Sequence, residues 1–318
     1  MQLTTVLTPL SPENLQLAAQ CGVSGVVSRY PGPRYEDLLT VRSRIEAFGL
    51  RLAVVEGALP LENIKLGRDD GSEIAALKAL IRHMGEAGVP ILCYNFMAGT
   101  DWVRTKLNVP ARGGALVTAF DLADVQRAVS LDAHRGTVGK EAIDAASLWS
   151  NLERMLTELI PVAEGAGVTL AMHPDDPPLP QLLGKARILN SVDAFERLVR
   201  LVPSPRNAIC FCQGTFATMG VDIPATIRRL GPHISYVHFR DVRGTPQSFA
   251  ETFHDDGPTD MAAAMRAYRE IGFDGPIRPD HVPQFVGEEA GEPGYTMLGR
   301  LFAYGYIRGL IQATSDAN

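Results

Sequence analysis

The sequence predicts a single (β/α)8 barrel, and three observations carry that prediction. Short apolar runs rich in β-formers alternate with longer amphipathic stretches, as in βα units around a parallel sheet. Eight such runs are present, the number that closes a barrel. Glycine recurs between an amphipathic stretch and the next run, where an αβ turn needs a helix-terminating residue.

The first run lies near Leu3–Leu7. Behind it, Ser11-Pro12-Glu13-Asn14 reads as an N-cap with proline in the first turn, leading into a helix that stops at Gly22. The later runs lie near Gly25–Ser28, Leu52–Glu56, Ile91–Phe96, Thr169–His173, Ala208–Cys212, Ser235–Arg240 and Ile277–Asp280. Gly49, Gly88, Gly167 and Gly272 each end a helical stretch directly before one of them. The one anomalous connection runs from Ala98 to Ala146, between the fourth and fifth strands, and includes the polar run Asp132-Ala133-His134-Arg135-Gly136. Barrel loops vary on the catalytic face, so this insertion is expected to sit there or cover it as a lid, with a disordered or oligomer-contact excursion as the alternative.

Composition narrows the function classes. The 318 residues carry a formal net charge of -6, and Lys and Arg are scattered, which excludes the basic stripe of a nucleic-acid binder. No apolar run approaches the ~20 residues that span a bilayer, and Met1–Leu7 lacks the form of a secretion signal. A soluble cytoplasmic protein with no membrane partner is expected. The four cysteines fall mostly in apolar runs, so buried thiols or a metal ligand are expected rather than disulfides.

Four strands end on a candidate ligand: His173, Cys212, His238 and Asp280. In a barrel the carboxyl ends of consecutive strands converge, so these side chains should meet although they are far apart in sequence. Two imidazoles, a thiolate and a carboxylate suit a divalent transition ion, with Zn²⁺, Mn²⁺, Fe²⁺ and Co²⁺ all open on chemistry alone. Singly, each has an ordinary structural explanation, as a core histidine, a small buried hydrophobe or a helix cap. Their equivalent positions favour a metal site. After His173 comes the stiff acidic segment Pro174-Asp175-Asp176-Pro177-Pro178, whose carboxylates could orient ligands or bind substrate hydroxyls. Arg240, two residues beyond His238, is placed to clamp a substrate carboxylate or, equally, to pair with Asp241 or another acid on the rim.

Several segments together resemble the metal-dependent D-mannonate dehydratases of the xylose-isomerase-like barrel superfamily. They are His173-Pro174-Asp175-Asp176-Pro177-Pro178, Cys93-Tyr94-Asn95-Phe96-Met97 with Asp101-Trp102 and Arg104-Thr105, Arg278-Pro279-Asp280-His281, and Pro293-Gly294-Tyr295 with Gly299-Arg300. The resemblance implies Mn²⁺-assisted loss of water from an aldonate, giving a 2-keto-3-deoxy sugar acid, and a homo-oligomeric assembly. It assigns the metal to His173, Cys212, His238 and Asp280 and points to His281 and Tyr295 as the acid–base pair. Tyr295 would serve as base if the ion lowered its hydroxyl from the usual pKa of about 10. Asn95, Arg240, Glu56 and Asp175 are then the expected substrate contacts. Two segments depart from the family pattern, the start Met1-Gln2-Leu3-Thr4-Thr5 and Tyr30-Pro31-Gly32-Pro33-Arg34-Tyr35 after the second strand, and both would border the substrate. A sugar isomerase or epimerase of the same superfamily is the alternative enzyme, and a non-catalytic sugar-acid-binding protein the alternative of another class.

Overall fold

In the computed structural model, which describes residues 1–130 and 142–315, eight parallel strands close into a barrel. These are β1 (Gln2–Val6), β2 (Gly25–Ser28), β3 (Arg51–Glu56), β4 (Ile91–Tyr94), β5 (Thr169–Met172), β6 (Asn207–Cys212), β7 (Ile234–Phe239) and β8 (Pro276–Pro279). They follow chain order around the ring, and β1 closes it by pairing with β2 on one side and β8 on the other. All eight expected strands are present, shifted by one or two residues at their ends.

The strands are apolar on both faces because both are covered. Outward side chains such as Val26, Leu52, Leu92 and Leu170 meet the surrounding helices in one continuous core. Inward ones, among them Val6, Val27, Val54, Ile91, Cys93, Ala171, Cys210 and Tyr236, fill the lumen. The first helix, Pro12–Gln20, is capped as its sequence predicts, with Ser11 Oγ accepting from the Asn14 N–H. The longest, Ala145–Ala166, starts at Asp144, whose carboxylate accepts from the Ser147 N–H. It buries Leu148, Leu152, Met155, Leu159 and Ala163, a 3.6-residue repeat on one face. Its end at Gly167 requires the left-handed region, with φ 71°. Among the described residues no helix is long and apolar enough to cross a membrane, and all four cysteines are free thiols.

The described part of the 98–146 insertion builds a roof. Lys106–Pro110 and Leu116–Asp121 form an antiparallel hairpin that pairs with a second hairpin, Val242–Thr245 and Ser248–Glu251, from the loop after β7. Phe120 of the first stacks on Phe249 of the second at 5.8 Å between ring centroids. Leu116 also pairs its backbone with Gln284, beyond β8, so the roof is tied to the carboxyl end of the barrel. The polar run Asp132–Gly136 lies outside the described residues.

A Cβ at Gly167 would meet nothing within 4 Å, so only the backbone penalty of a left-handed L-residue applies. Gly167→Ala is expected to lower the unfolding free energy by about 1–2 kcal/mol. Chemical denaturation would read this as a lower midpoint at unchanged slope.

Candidate metal and acid–base site

The four strand-end candidates converge. Cys212 is the last residue of β6 and is paired in register with His238 of β7, while His173 and Asp280 directly follow β5 and β8. The ligand atoms of His173, Cys212 and His238 all lie within 4.8 Å of one another. Asp280 adjoins them, its Oδ2 3.7 Å from Cys212 Sγ and 3.7 Å from His238 Nδ1. All four are buried.

His173 Nδ1 lies 2.7 Å from the Pro174 carbonyl oxygen. A carbonyl only accepts, so Nδ1 carries the proton and Nε2 presents its lone pair, as backbone-held ligand imidazoles do. The Nε2 atom of His173 is buried without a hydrogen-bond partner, a costly arrangement unless something else uses it, while His238 Nε2 lies 3.3 Å from Glu56 Oε1. Burial alone would raise the Cys212 thiol, but the Arg240 charge and the two imidazoles beside it bring it well below its ordinary value. Thiolate is the form that binds metal. Two imidazoles, one of them with an unpartnered nitrogen, a thiolate and an adjacent carboxylate fit a divalent transition ion.

Around this group runs a buried lattice of guanidinium and carboxylate. Arg240 donates from Nε to Asp280 Oδ2 at 2.6 Å, from Nη1 to Glu251 at 2.9 Å, and from Nη2 to Asp176 at 2.9 Å. Arg104, from the insertion, grips Asp176 with two bonds of 2.9 Å and reaches Glu251 at 2.7 Å. Arg278 links Asp280 at 2.8 Å to Glu56 at 3.0 Å, and Tyr236 donates its hydroxyl to Glu56 at 2.9 Å. Burial would raise each carboxylate. The facing guanidiniums overcome it and hold Asp176, Glu56 and Asp280 below their usual range and Glu251 at about 2.

His281 stands beside the lattice, its Nδ1 2.9 Å from Glu251 Oε1. A turn that includes Gly294 brings Tyr295 to it: the Val282 N–H donates to the Gly294 carbonyl at 2.9 Å, and the two rings meet edge to face at 5.4 Å. Burial pushes the Tyr295 hydroxyl up, against the opposing charge of Arg29. Arg29, at the end of β2, lies 5.4 Å over the Trp102 ring and 5.8 Å over Tyr295. An enclosed cavity of about 10 Å³, room for about one water, adjoins His173 and is lined by Glu56, Lys65, Asn95, Asp101 and Trp102 among others. Lys65, fully buried, donates to Asn95 Oδ1 at 3.1 Å and to the Met97 carbonyl at 3.1 Å.

The family model described as D-mannonate dehydratase (UxuA) matches residues 9–318. The chain belongs to the D-mannonate dehydratase family. Mannonate dehydratase 2 of Halalkalibacterium halodurans is 33% identical, with 88% of each chain covered. A mannonate dehydratase of Streptococcus equi subsp. zooepidemicus is also 33% identical, covering 97% of this chain and 92% of its own. Among solved structures, the mannonate dehydratase of Streptococcus suis superposes with a TM-score of 0.89 at 31% identity, over 99% of this chain and 95% of that one. An L-ribulose 3-epimerase superposes at 0.63 with 16% identity, covering 99% of this chain and 96% of that one. That likeness shows a shared xylose-isomerase-like barrel.

For this family member, the clamp reading of Arg240 needs correction. Arg240 pairs with acids at the rim instead, because three buried carboxylates and Thr215 occupy its donors. Asp175 braces the loop after β5, its Oδ2 accepting from the Leu189 N–H at 2.6 Å. Burial raises the Tyr295 hydroxyl, so service as a base requires an ion to lower it. Glu56 and Asn95 do line the cavity. Sequence reasoning missed Glu251 and Lys65, which lie on short elements in polar stretches. The recurrence of Arg104 in the family motif was the one signal pointing to this lattice.

Glu251 has a folded value of about 2 against an ordinary 4.5. The stability it contributes is therefore complete above about pH 4.5 and is lost as pH falls through about 2. Glu251→Gln is expected to be less stable at neutral pH and to lose less on acidification across that window. Denaturation midpoints measured at stepped pH would check this.

Proposed function

We propose that the protein is a hydro-lyase that removes water from D-mannonate or a closely related aldonate, leaving a 2-keto-3-deoxy sugar acid. The observation that carries this reading is the convergence of His173, His238 and the Cys212 thiolate with a His281–Tyr295 pair directly beside Asp280. His173, Cys212, His238 and Asp280 would hold the ion, with Mn²⁺ the first choice and Fe²⁺, Co²⁺ or Zn²⁺ the alternatives. Bound there, it supplies Lewis acidity, making the proton alpha to the substrate carboxylate removable.

The protein's own groups divide the remaining work. Glu251 accepts from His281 Nδ1–H, which fixes the tautomer and leaves Nε2 as the base for the α-proton. Tyr295, whose burial keeps its hydroxyl protonated at neutral pH, donates to the departing β-hydroxyl. Arg29 takes the part first expected of Arg240: among the described residues no carboxylate lies within ion-pair distance of it, and it reaches the Tyr295 ring. Its partner is the substrate carboxylate. The roof, tied down by Arg104, excludes water.

A panel of aldonates and uronates supplied with Mn²⁺ and assayed for 2-keto-3-deoxy product tests the reaction. No product from any of them overturns the reading. Cys212→Ser and Asp280→Asn are expected to lose both bound metal and activity, by about 10²-fold or more. His281→Gln should abolish exchange of the α-proton with deuterated solvent, while Tyr295→Phe should keep exchange and lose elimination, each slowing turnover by about 10²–10⁴-fold. Equal exchange in the two variants would refute the division of roles. Arg29→Leu is expected to raise KM by about 10–100-fold.

A further inference from the structure

Below the strand ends lies a cluster whose two cysteines this reaction does not use. The ligand atoms of Cys93, Cys210 and His238 all lie within 4.8 Å of one another, and all three residues are buried. Cys93 on β4 pairs with Ala171 on β5, and Cys210 stands on β6, the next strand. Ala171 shares the lumen with both cysteines, and its single methyl leaves room for the sulfurs to approach. The two sulfur atoms lie within 4.8 Å of each other.

His238 faces both ways. Its Nδ1 lies 3.7 Å from Asp280 at the barrel mouth, and its Nε2 lies 3.3 Å from Glu56 Oε1. Glu56 is paired in register with Cys93, so a carboxylate oxygen borders the same group. Cys93 and Glu56 also line the small cavity beside His173.

We propose that the barrel lumen contains a second cation site, formed by Cys93, Cys210 and His238 with Glu56 at its edge, that takes a thiophilic ion such as Zn²⁺ or Cd²⁺ and shares one imidazole with the site at the mouth. Two thiolates and an imidazole form a soft donor set, unlike the single-thiolate mouth site, and a d¹⁰ ion accepts the tetrahedral arrangement they offer. On binding, two S–H bonds break and two S–metal bonds form, and with the mouth site also filled the shared His238 gives up its remaining N–H proton to become a bridging imidazolate. Two protons, or three when both sites are filled, pass to solvent and no electrons are exchanged.

The test is a Cd²⁺ titration of the metal-stripped full chain carrying Cys21→Ser, which leaves three cysteines, read by the ultraviolet thiolate-to-Cd²⁺ charge-transfer absorbance. The plateau should correspond to three thiolates, with Cys212→Ala retaining about two-thirds of it and Cys93→Ala/Cys210→Ala about one-third. Proton release on Cd²⁺ binding should fall in the lumen double variant. Loss of essentially all absorbance in Cys212→Ala would overturn the proposal, and this arm leaves the lumen side chains untouched. An unchanged plateau in the double variant would overturn it as well.

Discussion

Arg240 holds three pieces of the molecule at one point. Its guanidinium joins Asp280 behind β8, Asp176 in the loop after β5 and Glu251 in the roof hairpin. Three carboxylates so close, in the absence of water, would repel one another and take up protons. With Arg240 among them and Arg104 and Arg278 alongside, they remain ionised. Removing one partner of such a buried pair generally costs about 3–5 kcal/mol, because the stranded charge is left unsolvated. The orientation of Asp280, the position of the roof and the tautomer of His281 all follow from this one contact.

The barrel was legible because its signals are local. An apolar run, a capped helix and a terminating glycine each announce themselves within a few residues, and their repetition leaves little choice of architecture. The convergence of the four candidate ligands was legible for a derived reason: once eight strands are placed, their carboxyl ends must converge, so His173, Cys212, His238 and Asp280 could be brought together by counting.

Partners within the buried lattice could not be read in the same way. Arg240 declares a charge and a location near the mouth, which suit a substrate clamp and a structural tie equally. The choice is made by Glu251 and Asp176, 11 and 64 residues away, through pairing of the roof hairpins that no short-range pattern encodes. Asp175 and Asp176 are neighbours with opposite fates for a simple reason: successive side chains in an extended loop point in different directions, one to the Leu189 backbone and one to two arginines. Tyr295 could be paired with His281 by motif, but its protonation preference depends on burial that only the folded turn creates.

The roof is one sheet made from two loops that lie about 130 residues apart in the chain, an architecture at odds with the usual modularity of barrel loops. Where each loop stands alone, it can be lengthened or replaced without consulting its neighbours. Here the hairpin after β4 and the hairpin after β7 share backbone hydrogen bonds and the Phe120–Phe249 stack, and both send charged groups to Arg240 or its partners. An attempt to retune substrate preference by transplanting one loop from a relative would leave the other without its strand partner. The unit of inheritance and of engineering in this barrel is the pair of loops, exchanged together.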